Sequence, residues 1–331
     1  MTDTLRGLPV LDLDLEQRLA ADMALVEDGL RDAVASQDDF VADASRYLVE
    51  AGGKRFRPLL VLLAAQFGDP DARGVIPSGV VVELTHLATL YHDDVMDEAT
   101  MRRGASSANT RWGNTVAILT GDFLFARSSA ILADLGPEAV RIQAETFERL
   151  CVGQIRETVG PRDGQDPVKH HLAVIADKTG SLIAASGRYG ALMAGAPRET
   201  IELLAEFGER IGVAFQLADD LVDIASESMQ SGKTPGTDLR EGIPTLAGLI
   251  ALMGTDPADA RLRDLLSRPL PDDAEHAEAL ALLRAHPALA EARAAAHEWA
   301  AAARDTLAPL PDIPARRMLE QLCDFVVTRT G

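Results

Sequence analysis

The sequence predicts an all-α protein, and three observations lead to that prediction. Apolar residues recur at the 3.6-residue spacing of an α-helix along most of the 331 residues. The breaks in this pattern coincide with Gly, Pro and Asp, which end helices. No segment shows the alternation of a half-buried β-strand convincingly. Because 47% of the residues are hydrophobic, the chain can bury a large core between its helices.

The period predicts thirteen helical segments, separated by breaks such as Gly52-Gly53, Gly160-Pro161 and Pro309-Leu310-Pro311. The Ala-rich run at Leu289–Ala308 is a strong intrinsic helix former. The segments lie near residues 15–35, 38–51, 54–67, 78–98, 112–135, 138–159, 168–194, 199–227, 244–254, 257–267, 273–285, 288–307 and 313–328.

No Gly/Ser- or Pro-rich linker and no repeat of 20–50 residues divides the chain. We therefore expect a single helical domain over residues 1–331, with residues 1–15 as a flexible N-terminus. One polar stretch between two long helices, Met229–Ile243, contains three glycines and one proline in MQSGKTPGTDLREGI. Such a segment is typical of a mobile lid over a binding site.

Charge and composition exclude several classes of protein. The chain carries 32 Lys+Arg against 51 Asp+Glu, a formal net charge of −19, which repels nucleic acid and anionic lipid surfaces. The start lacks the apolar core of a secretory signal, and the absence of about 18 uncharged apolar residues in a row argues against a spanning helix. Cys151 and Cys323 lack metal-site spacing and are expected to be reduced thiols. The expected location is the cytoplasm, with transient membrane contact for product release left open.

The first candidate site is the acidic motif His92-Asp93-Asp94-Val95-Met96-Asp97, at the end of an apolar helix. Asp93 and Asp97 are four residues apart, so their carboxylates lie on one helix face about 5–6 Å apart at Cβ. The residues before it, VVVELTHLATLY, contain one formal charge, Glu83. The motif therefore ends a core helix.

A second acidic motif, Asp219-Asp220-Leu221-Val222-Asp223, has the same spacing within another apolar helix. A lone motif of this kind could be a solvated acidic face. Two copies on apolar helices favour a metal site, because clustered carboxylates out of water need cations to neutralise them. Magnesium suits such a site, since it binds through one or two carboxylates and completes its octahedron with water and substrate phosphates.

Basic residues stand beside glycines and near the acidic motifs. The segment Gly52–Pro58, GGKRFRP, opens a helix whose N–H groups favour an anion. Each basic residue taken singly would be read as a surface charge, but in a chain of net charge −19 their placement favours anion binding. The group consists of Lys54, Arg57, Arg102, Arg103, Lys178 and Lys233, with His86 two turns before Asp93.

Six segments occur in order and at the usual separations, and together they resemble the trans-type polyprenyl diphosphate synthase family. They are GGKRFRP, ELTHLATLYHDDVMDEATMRRG, GDFLFA, DKTGSLIA, FQLADDLVD and GKTPGTDLREG. The resemblance runs from about residue 20 to the end. It implies the isoprenoid-synthase fold, a helical bundle around a deep central cavity, a homodimer, and Mg²⁺, three ions per active site bridged by diphosphate.

The resemblance also implies roles for individual residues. Isopentenyl diphosphate would be bound by Lys54, Arg57, His86 and Arg103, and the allylic diphosphate by Arg102, Lys178, Thr179, Gln216 and Lys233. The principal metal ligands would be Asp93, Asp97 and Asp219, with Asp223 also a ligand and Asp94 and Asp220 in support. In the family mechanism the allylic diphosphate ionises, the isopentenyl double bond attacks the carbocation, and a proton is then lost to the departing pyrophosphate. The leaving charge is stabilised electrostatically.

Product length is expected to depend on residues below the first acidic motif. In the family, short-chain producers place a bulky side chain near the positions of Thr85, Ala88 and Thr89. All three are small here, so an open tunnel and a product of thirty carbons or more are predicted, which Ala88→Phe should shorten. Tyr91 should point elsewhere, because a two-residue step turns about 200° around a helix. Alternatively, these small residues serve close helix packing, and a floor from another helix, at Phe123 or Phe125, stops the chain early.

The sequence departs from the family pattern at two places. Many relatives have a second lysine after the lid, where this chain has Ile243 in Gly242-Ile243-Pro244-Thr245. This predicts a weaker or differently held allylic head group. Gly180 replaces the usual alanine after Lys178-Thr179 and is expected to loosen that helix.

Other functions remain open on these residues. A short-chain synthase making fifteen or twenty carbons is the nearest alternative. A class I terpene cyclase would need no isopentenyl site, and its second metal motif has Ser or Thr where this chain has Asp223, although Glu227 is suitably spaced. A noncatalytic synthase subunit should have eroded aspartates. A His-Asp phosphohydrolase, suggested by His86, His92-Asp93 and His170-His171, would leave the second acidic motif without a role. Gly232-Lys233-Thr234 is not a P-loop, because Glu227 occupies the position of its first glycine.

Overall fold

The computed structural model describes residues 12–225 and 235–328. These residues form helices almost throughout, which confirms the predicted all-α class. The chain divides into two compact units that alternate along the sequence. Unit one takes in the described residues of Met1–Phe147, Leu182–Gly208 and Pro309–Leu319, and unit two those of Glu148–Ser181, Glu209–Ala308 and Glu320–Gly331. The single domain remains a prediction.

Sixteen α-helices are described, and most begin and end within three residues of the predicted bounds. They are α1 (Leu13–Ala33), α2 (Asp39–Glu50), α3 (Phe56–Ala65), α4 (Val75–Met96), α5 (Ala108–Trp112), α6 (Asn114–Leu135), α7 (Pro137–Val159), α8 (Pro167–Ile175), α9 (Ser181–Met193), α10 (Arg198–Ala225), α11 (Thr237–Glu241), α12 (Leu246–Met253), α13 (Ala260–Leu266), α14 (Asp273–Ala285), α15 (Pro287–Thr306) and α16 (Pro314–Thr328).

Aspartate caps set several helix starts. Asp12 accepts a hydrogen bond from the backbone N–H of Leu15 at 2.9 Å, so α1 begins at Leu13 and helix already occupies the last residues of the expected flexible 1–15 segment. Asp38, Asp166 and Asp272 cap α2, α8 and α14 in the same way. An aspartate here satisfies N–H groups that have no partner within the helix.

The core of unit one is built on the packing of α4 against α6, with α1 and α3 beside α4. The two helices approach closely at Gly121, where an added Cβ would lie 3.0 Å from the carbonyl oxygen of Ala88. The same Cβ would lie 2.6 Å from Cδ2 of His92, a distance at which real Cβ atoms are essentially never found, so glycine is favoured here. The close contact fixes the lower part of the helix that carries the first acidic motif.

The core of unit two is an apolar cluster to which α8 and the helices from α10 to α15 contribute. Leu217 and Leu221 of α10 are 1% and 2% exposed within it. The Ala-rich α15 contributes Ala292 and Ala296, whose small side chains allow α12 to pack close. The apolar face of α10 is thus buried, and its aspartates are held on a rigid element.

The structure differs from the predicted segments in four places. Residues 101–106 form a small antiparallel hairpin of β1 (Met101–Arg102) and β2 (Ala105–Ser106), where no strand was predicted. Gly113, with φ +85°, separates α5 from α6. The predicted helix 168–194 is interrupted by a π-helical turn at Ala176–Gly180. The predicted lid contains α11, five residues long. Short elements of this kind depend on tertiary contacts, which periodicity does not report.

One described helix, α6, is long and apolar enough to cross a membrane by length and composition. Asp122 and Arg127 interrupt its apolar sequence, so the helix contains no uncharged run of about 18 residues. A third of its apolar window, 33%, is buried inside the structure, and Arg127 Nε donates to the carbonyl of Ala33 at 2.5 Å. One face of α6 packs against α4, and helices that pack in this way within a globular protein can have the same composition.

Candidate active site

The first acidic motif lies at the carboxyl end of α4. Asp97 is the C-cap residue, and its backbone N–H donates to the carbonyl of Asp93 at 2.8 Å. Asp93 is partly buried and Asp97 exposed, and the last turn of α4 contains no basic residue. Carboxylates at the carboxyl end of a helix are repelled by the partial negative charge of that end. The arrangement is therefore one that a bound cation would stabilise.

Asp94 differs from its neighbours, because its carboxylate is fully buried and occupied by protein groups. Arg102 Nε donates to Asp94 Oδ1 at 2.6 Å, and the backbone N–H of Ala108 donates to Oδ2 at 3.2 Å. The side chain has no exposed surface. The carboxylate thus joins the end of α4 to the hairpin and to α5, and the supporting role expected of Asp94 in metal binding stays a prediction.

The two arginines of the hairpin, Arg102 and Arg103, form hydrogen bonds with different partners. Arg103 adopts a left-handed backbone conformation with φ +53°, followed by Gly104 at +79°, as two-residue hairpin turns require. Arg102 pairs with Asp94, whereas Arg103 donates to the backbone carbonyls of Leu48, at 2.9 Å, and Gly52. The turn therefore brings Arg103 beside the GGKRFRP segment.

Arg55 in that segment is a residue whose role sequence reasoning missed. It is 4% exposed and left-handed, with φ +46°. Its guanidinium donates to Glu27 Oε1 at 2.7 Å and Glu83 Oε1 at 2.9 Å, and to the carbonyl of Val49 at 2.8 Å. Glu83 is the single charge in the apolar run before the acidic motif, and that isolation was the available signal for a buried partner.

Arg57, by contrast, has a buried nitrogen, Nε, that lacks a hydrogen-bond partner. Burial, with the repulsion of Arg103, lowers the pKa of Arg57 to about 10, although Glu83 opposes the shift. Burial first, and then the charges of Arg57 and Arg103, lower the pKa of His86 well below its ordinary value. A neutral His86 thus stands among guanidinium groups, and Lys54 is exposed at the start of the same segment.

This basic region of unit one is suited to an anion. Glu27 and Glu83 neutralise Arg55, and the 3.9 Å separation between Arg103 and Glu83 is a weak contact. No described salt bridge neutralises Arg57. A diphosphate oxygen would offer an acceptor to its orphaned Nε and lower the repulsion with Arg103.

The three residues expected to set product length do not share one environment. Thr85 and Ala88 are fully buried, and Thr85 Oγ1 accepts from Gln143 Nε2 at 2.9 Å. Thr89 is partly exposed, and its hydroxyl donates to the carbonyl of His86 at 2.8 Å. Close packing therefore explains the small size of Ala88, and Thr89 is the member of the three whose side chain is accessible.

Tyr91 and the phenylalanines complete this region of unit one. Tyr91 is fully buried and its hydroxyl donates to the carbonyl of Ala44 at 2.5 Å, so it points toward α2, away from the position of Thr89, as expected. Phe125 packs on Phe147 with ring centroids 4.0 Å apart. Phe123 and Phe125 are both partly exposed. Either side chain therefore remains a candidate for the residue that stops the growing product chain.

The second acidic motif lies near the described end of α10 in unit two. Asp223 Oδ2 accepts from the backbone N–H of Asp238 at 3.2 Å, and its carbonyl accepts from Gly236 at 2.9 Å. Burial and the charge of Asp238 raise the pKa of Asp220 well above its ordinary value, and Asp219 and Asp223 add to the rise. Asp219 is partly exposed. These carboxylates repel one another, as expected where a cation is to bind.

The π-helical turn brings Lys178 and Thr179 to the same pocket. Thr179 Oγ1 donates to Gln216 Oε1 at 3.2 Å, and Gln216 Nε2 donates to Asp220 Oδ1 at 2.9 Å. Lys178 Nζ forms an ion pair with Glu157. Gly180 approaches α10, where a Cβ would lie 3.2 Å from the carbonyl oxygen of Glu209. The glycine thus permits close packing beside the π-turn, a common device at functional sites.

A pocket of about 190 Å³ opens among these residues of unit two. Its lining includes three residues that the sequence assigned to the allylic diphosphate, namely Lys178, Thr179 and Gln216. Asp220 and Ile243 also line it. Lys233, by contrast, falls in residues 226–234 together with Glu227, outside the described residues.

The donor set fits magnesium. Within residues 12–225 and 235–328, no group of three or more His, Cys, Asp or Glu side chains forms a ready-made metal cage. Magnesium does not need one, because it binds through one or two carboxylates and takes its remaining oxygens from water and phosphates. Asp93 and Asp97 in unit one, and Asp219 and Asp223 in unit two, would hold it.

Helical packing, paired aspartates on two helices and buried basic residues are typical of a protein that binds anionic phosphate substrates together with divalent metal ions. The polyprenyl synthetase family model matches residues 38–283. The chain is 51% identical to a nonaprenyl diphosphate synthase of Mycobacterium tuberculosis, over 98% of this chain and 97% of that protein. It is 43% identical to a dimethylallyltranstransferase of the same organism, over 92% and 93%.

Solved structures agree with this assignment. A geranylgeranyl pyrophosphate synthase from Corynebacterium glutamicum, complexed with calcium and isoprenyl diphosphate, superposes with a TM-score of 0.89 at 46% identity, covering 98% of this chain and 100% of that one. A decaprenyl diphosphate synthase from Rhodobacter capsulatus gives 0.88 at 35% identity, covering 96% and 99%. The chain belongs to the polyprenyl synthetase family and is a prenyltransferase.

Proposed function

We propose that this enzyme condenses isopentenyl diphosphate head-to-tail with an allylic diphosphate and releases an all-trans polyprenyl diphosphate of thirty carbons or more, with pyrophosphate. The observation that carries the substrate assignment is the basic region of unit one. There Arg57 has a buried Nε without a hydrogen-bond partner beside a neutral His86. With Lys54 and Arg103, these residues bind the diphosphate of isopentenyl diphosphate.

The allylic diphosphate is assigned to the pocket of unit two. Lys178, Thr179 and Gln216 line it, and the Thr179–Gln216–Asp220 hydrogen bonds hold their side chains in place. Lys178 contributes positive charge to the departing pyrophosphate, which stabilises the charge that develops in the transition state. Arg102 and Lys233 are assigned to the same diphosphate from sequence alone.

The metal is proposed to be Mg²⁺, three ions per active site, with Asp93, Asp97, Asp219 and Asp223 as protein ligands. When bound, the metal would neutralise the diphosphate and assist its departure. The raised pKa of Asp220 supports the choice of a cation site, because burial and the neighbouring carboxylates of Asp238, Asp219 and Asp223 disfavour its charged form. Asp94, occupied by Arg102, is assigned to holding α4 and the hairpin together.

A long product is supported by sequence and by one relative. Thr89, the accessible residue one turn below Asp93, is small, so it leaves room for a chain. The Mycobacterium tuberculosis relative named for a nonaprenyl product shares 51% identity. The Corynebacterium glutamicum structure named for a geranylgeranyl product shares 46%, so a twenty-carbon product is the outcome to be tested against.

A homodimer is proposed as the working form. Ile118 and Leu119 on α6 are 42% and 61% exposed, and Val140 on α7 is 45% exposed. A second copy of the chain covering these residues would remove apolar surface from water. Light scattering after size exclusion gives the mass, and Leu119→Glu should yield monomers.

One assay tests the proposed reaction. The purified enzyme is given isotopically labelled isopentenyl diphosphate in excess, with allylic diphosphates of ten, fifteen or twenty carbons as primers. Incorporation should depend on Mg²⁺, and chromatography of the dephosphorylated products should show all-trans chains of thirty carbons or more. Cyclised hydrocarbon without incorporation would indicate a terpene cyclase. No turnover with any primer would indicate a noncatalytic subunit, and arrest at fifteen or twenty carbons would overturn the product length.

A further inference from the structure

His171 is a residue of the unit-two pocket that the proposed function leaves without a role. It lies on α8, seven residues before Lys178, and lines the pocket with Lys178 and Gln216. Its side chain is 13% exposed. Its Nε2 atom is buried and makes no hydrogen bond.

The separation between His171 Nε2 and Asp220 Oδ2 is 3.9 Å, which is too long for a hydrogen bond. Buried polar atoms in folded proteins are nearly always hydrogen-bonded, so an orphan atom calls for an explanation. A ring nitrogen held at the wall of a binding pocket is explained if a ligand supplies the missing partner. The neighbouring His170 shows the alternative, because its Nε2 lies 3.1 Å from the carbonyl of Arg156.

Among the described residues that line this pocket, one lysine is present, and an apolar residue stands where the resemblance to the family leads us to expect a second. Ile243 occupies the position after the lid at which a second lysine is usual, and it lines the pocket with an apolar side chain that is 41% exposed. The remaining lysine of the lining, Lys178, is ion-paired with Glu157. Asp220 and Asp238 add negative charge to the wall. Each additional hydrogen-bond donor in the pocket wall would therefore strengthen the binding of a diphosphate.

We propose that His171 donates a hydrogen bond from Nε2 to the diphosphate of the allylic substrate and thereby supplies the contact that Ile243 does not. A neutral imidazole protonated on Nε2 is sufficient, so the contact requires no change of charge on the ring. The inference rests on the proposed function of this pocket as the allylic site. It assigns His171 to binding the substrate and its released pyrophosphate.

The first test compares His171→Phe with His170→Phe. The former removes the donor while keeping an aromatic ring, and the latter changes a histidine that lies against the backbone. His171→Phe should raise KM for the allylic diphosphate about tenfold to a hundredfold, the usual worth of a hydrogen bond to a charged group. KM for isopentenyl diphosphate should stay unchanged, and His170→Phe should leave both values near those of the unmodified enzyme.

Binding of inorganic pyrophosphate, measured calorimetrically at saturating Mg²⁺, gives a readout independent of turnover. His171→Phe should weaken it by a similar factor, and His171→Gln, which keeps an N–H donor, should recover part of the loss. Ile243→Lys should tighten pyrophosphate binding, and in the double variant it should offset the loss from His171→Phe. Since both positions are proposed to contact one diphosphate, the change in pyrophosphate-binding free energy in the double variant should differ from the sum of the two single changes.

The inference is overturned if His171→Phe leaves both the allylic KM and pyrophosphate binding unchanged. It is also overturned if the variant changes only the Mg²⁺ concentration required, because His171 would then position Asp220 and not touch the diphosphate. If His171→Phe does not fold, His171→Gln and Ile243→Lys decide the matter by the same readouts. Failure of the proposed function is distinct: the unmodified enzyme would then show no incorporation of isopentenyl diphosphate at all.

Discussion

Arg102 Nε donates to Asp94 Oδ1 at 2.6 Å, and this bond separates the roles of two adjacent aspartates. Asp94 is fully buried and shared between Arg102 and the backbone of Ala108. Asp93, one residue earlier and about 100° around the helix, is partly exposed. Within one acidic motif, therefore, one carboxylate is buried in contacts with protein groups, whereas the residue that carries its neighbour is partly exposed.

Asp93→Asn and Asp94→Asn should consequently fail in different ways. Asp93→Asn should lower kcat by at least about a hundredfold, the usual cost of losing charge stabilisation in a transition state, with little loss of stability. Asp219→Asn in unit two should behave likewise. Asp94→Asn should destabilise the fold by about 1–3 kcal/mol, because its amide cannot serve both donors.

Steady-state kinetics at saturating Mg²⁺, paired with denaturant unfolding, measure the two effects. Near-normal turnover in both Asp93→Asn and Asp219→Asn would remove the metal assignment. Equal unfolding free energies for Asp94→Asn and the unmodified protein would contradict the structural role of Asp94.

Arg57→Ala should raise KM for isopentenyl diphosphate about tenfold to a hundredfold, since a hydrogen bond to a charged group contributes about 1.5–3 kcal/mol. The reason is the buried Nε of Arg57, which lacks a protein partner. Arg46→Ala, at an exposed position on α2, is the matched control and should change neither KM. Varying each substrate in turn decides the matter, and unchanged dependence on isopentenyl diphosphate in Arg57→Ala would exclude this diphosphate site.

The structure changes the expected result for product length. Thr89→Phe should shorten the main product toward fifteen or twenty carbons with elongation preserved, because Thr89 is accessible. Ala88 has no exposed surface, so Ala88→Phe should overpack the α4–α6 contact and destabilise the protein by about 1–3 kcal/mol. Product chromatography and thermal unfolding of the two variants provide the comparison. If Ala88→Phe shortens the product at full stability, the tunnel follows Ala88, as the sequence alone predicted.

Protonation of His171 should make the free energy of unfolding decrease as the pH is lowered. Burial, with a contribution from His170, lowers the pKa of His171 to about 4, against about 6.5 in the unfolded chain. Between these values the unfolded chain binds more protons, so the free energy of unfolding decreases as the pH falls from about 7 to about 4. The loss attributable to this group is up to about 3 kcal/mol.

His171→Gln provides the comparison, because glutamine does not titrate. Denaturant unfolding of the metal-free proteins at several pH values should show the variant losing less stability than the unmodified protein on acidification. Parallel profiles for the two proteins would contradict a lowered pKa at His171.

The sequence alone determined the helical class, most helix bounds and the identity of the aspartate pairs. These follow from local geometry: the spacing of Asp93 and Asp97 places them on one face of any helix that contains them. The spacing does not reveal which carboxylate of the motif is paired with another protein group. Asp94 belongs to the same motif, and its pairing with Arg102 depends on a hairpin whose turn places Arg103 in a left-handed conformation.

Tertiary structure decided the contacts between residues distant in the chain. Arg55 meets Glu27 and Glu83 only because α1 and α4 pack beside the GGKRFRP segment. His171 and Ile243 line one pocket only because α8, α10 and the segment before α12 come together. Helix periodicity reports which face is apolar, over a few turns, whereas burial and lost hydrogen-bond partners arise when helices pack. For that reason the aspartates could be found from the sequence. The buried polar atoms that lack a hydrogen-bond partner within the protein could be found only from the fold.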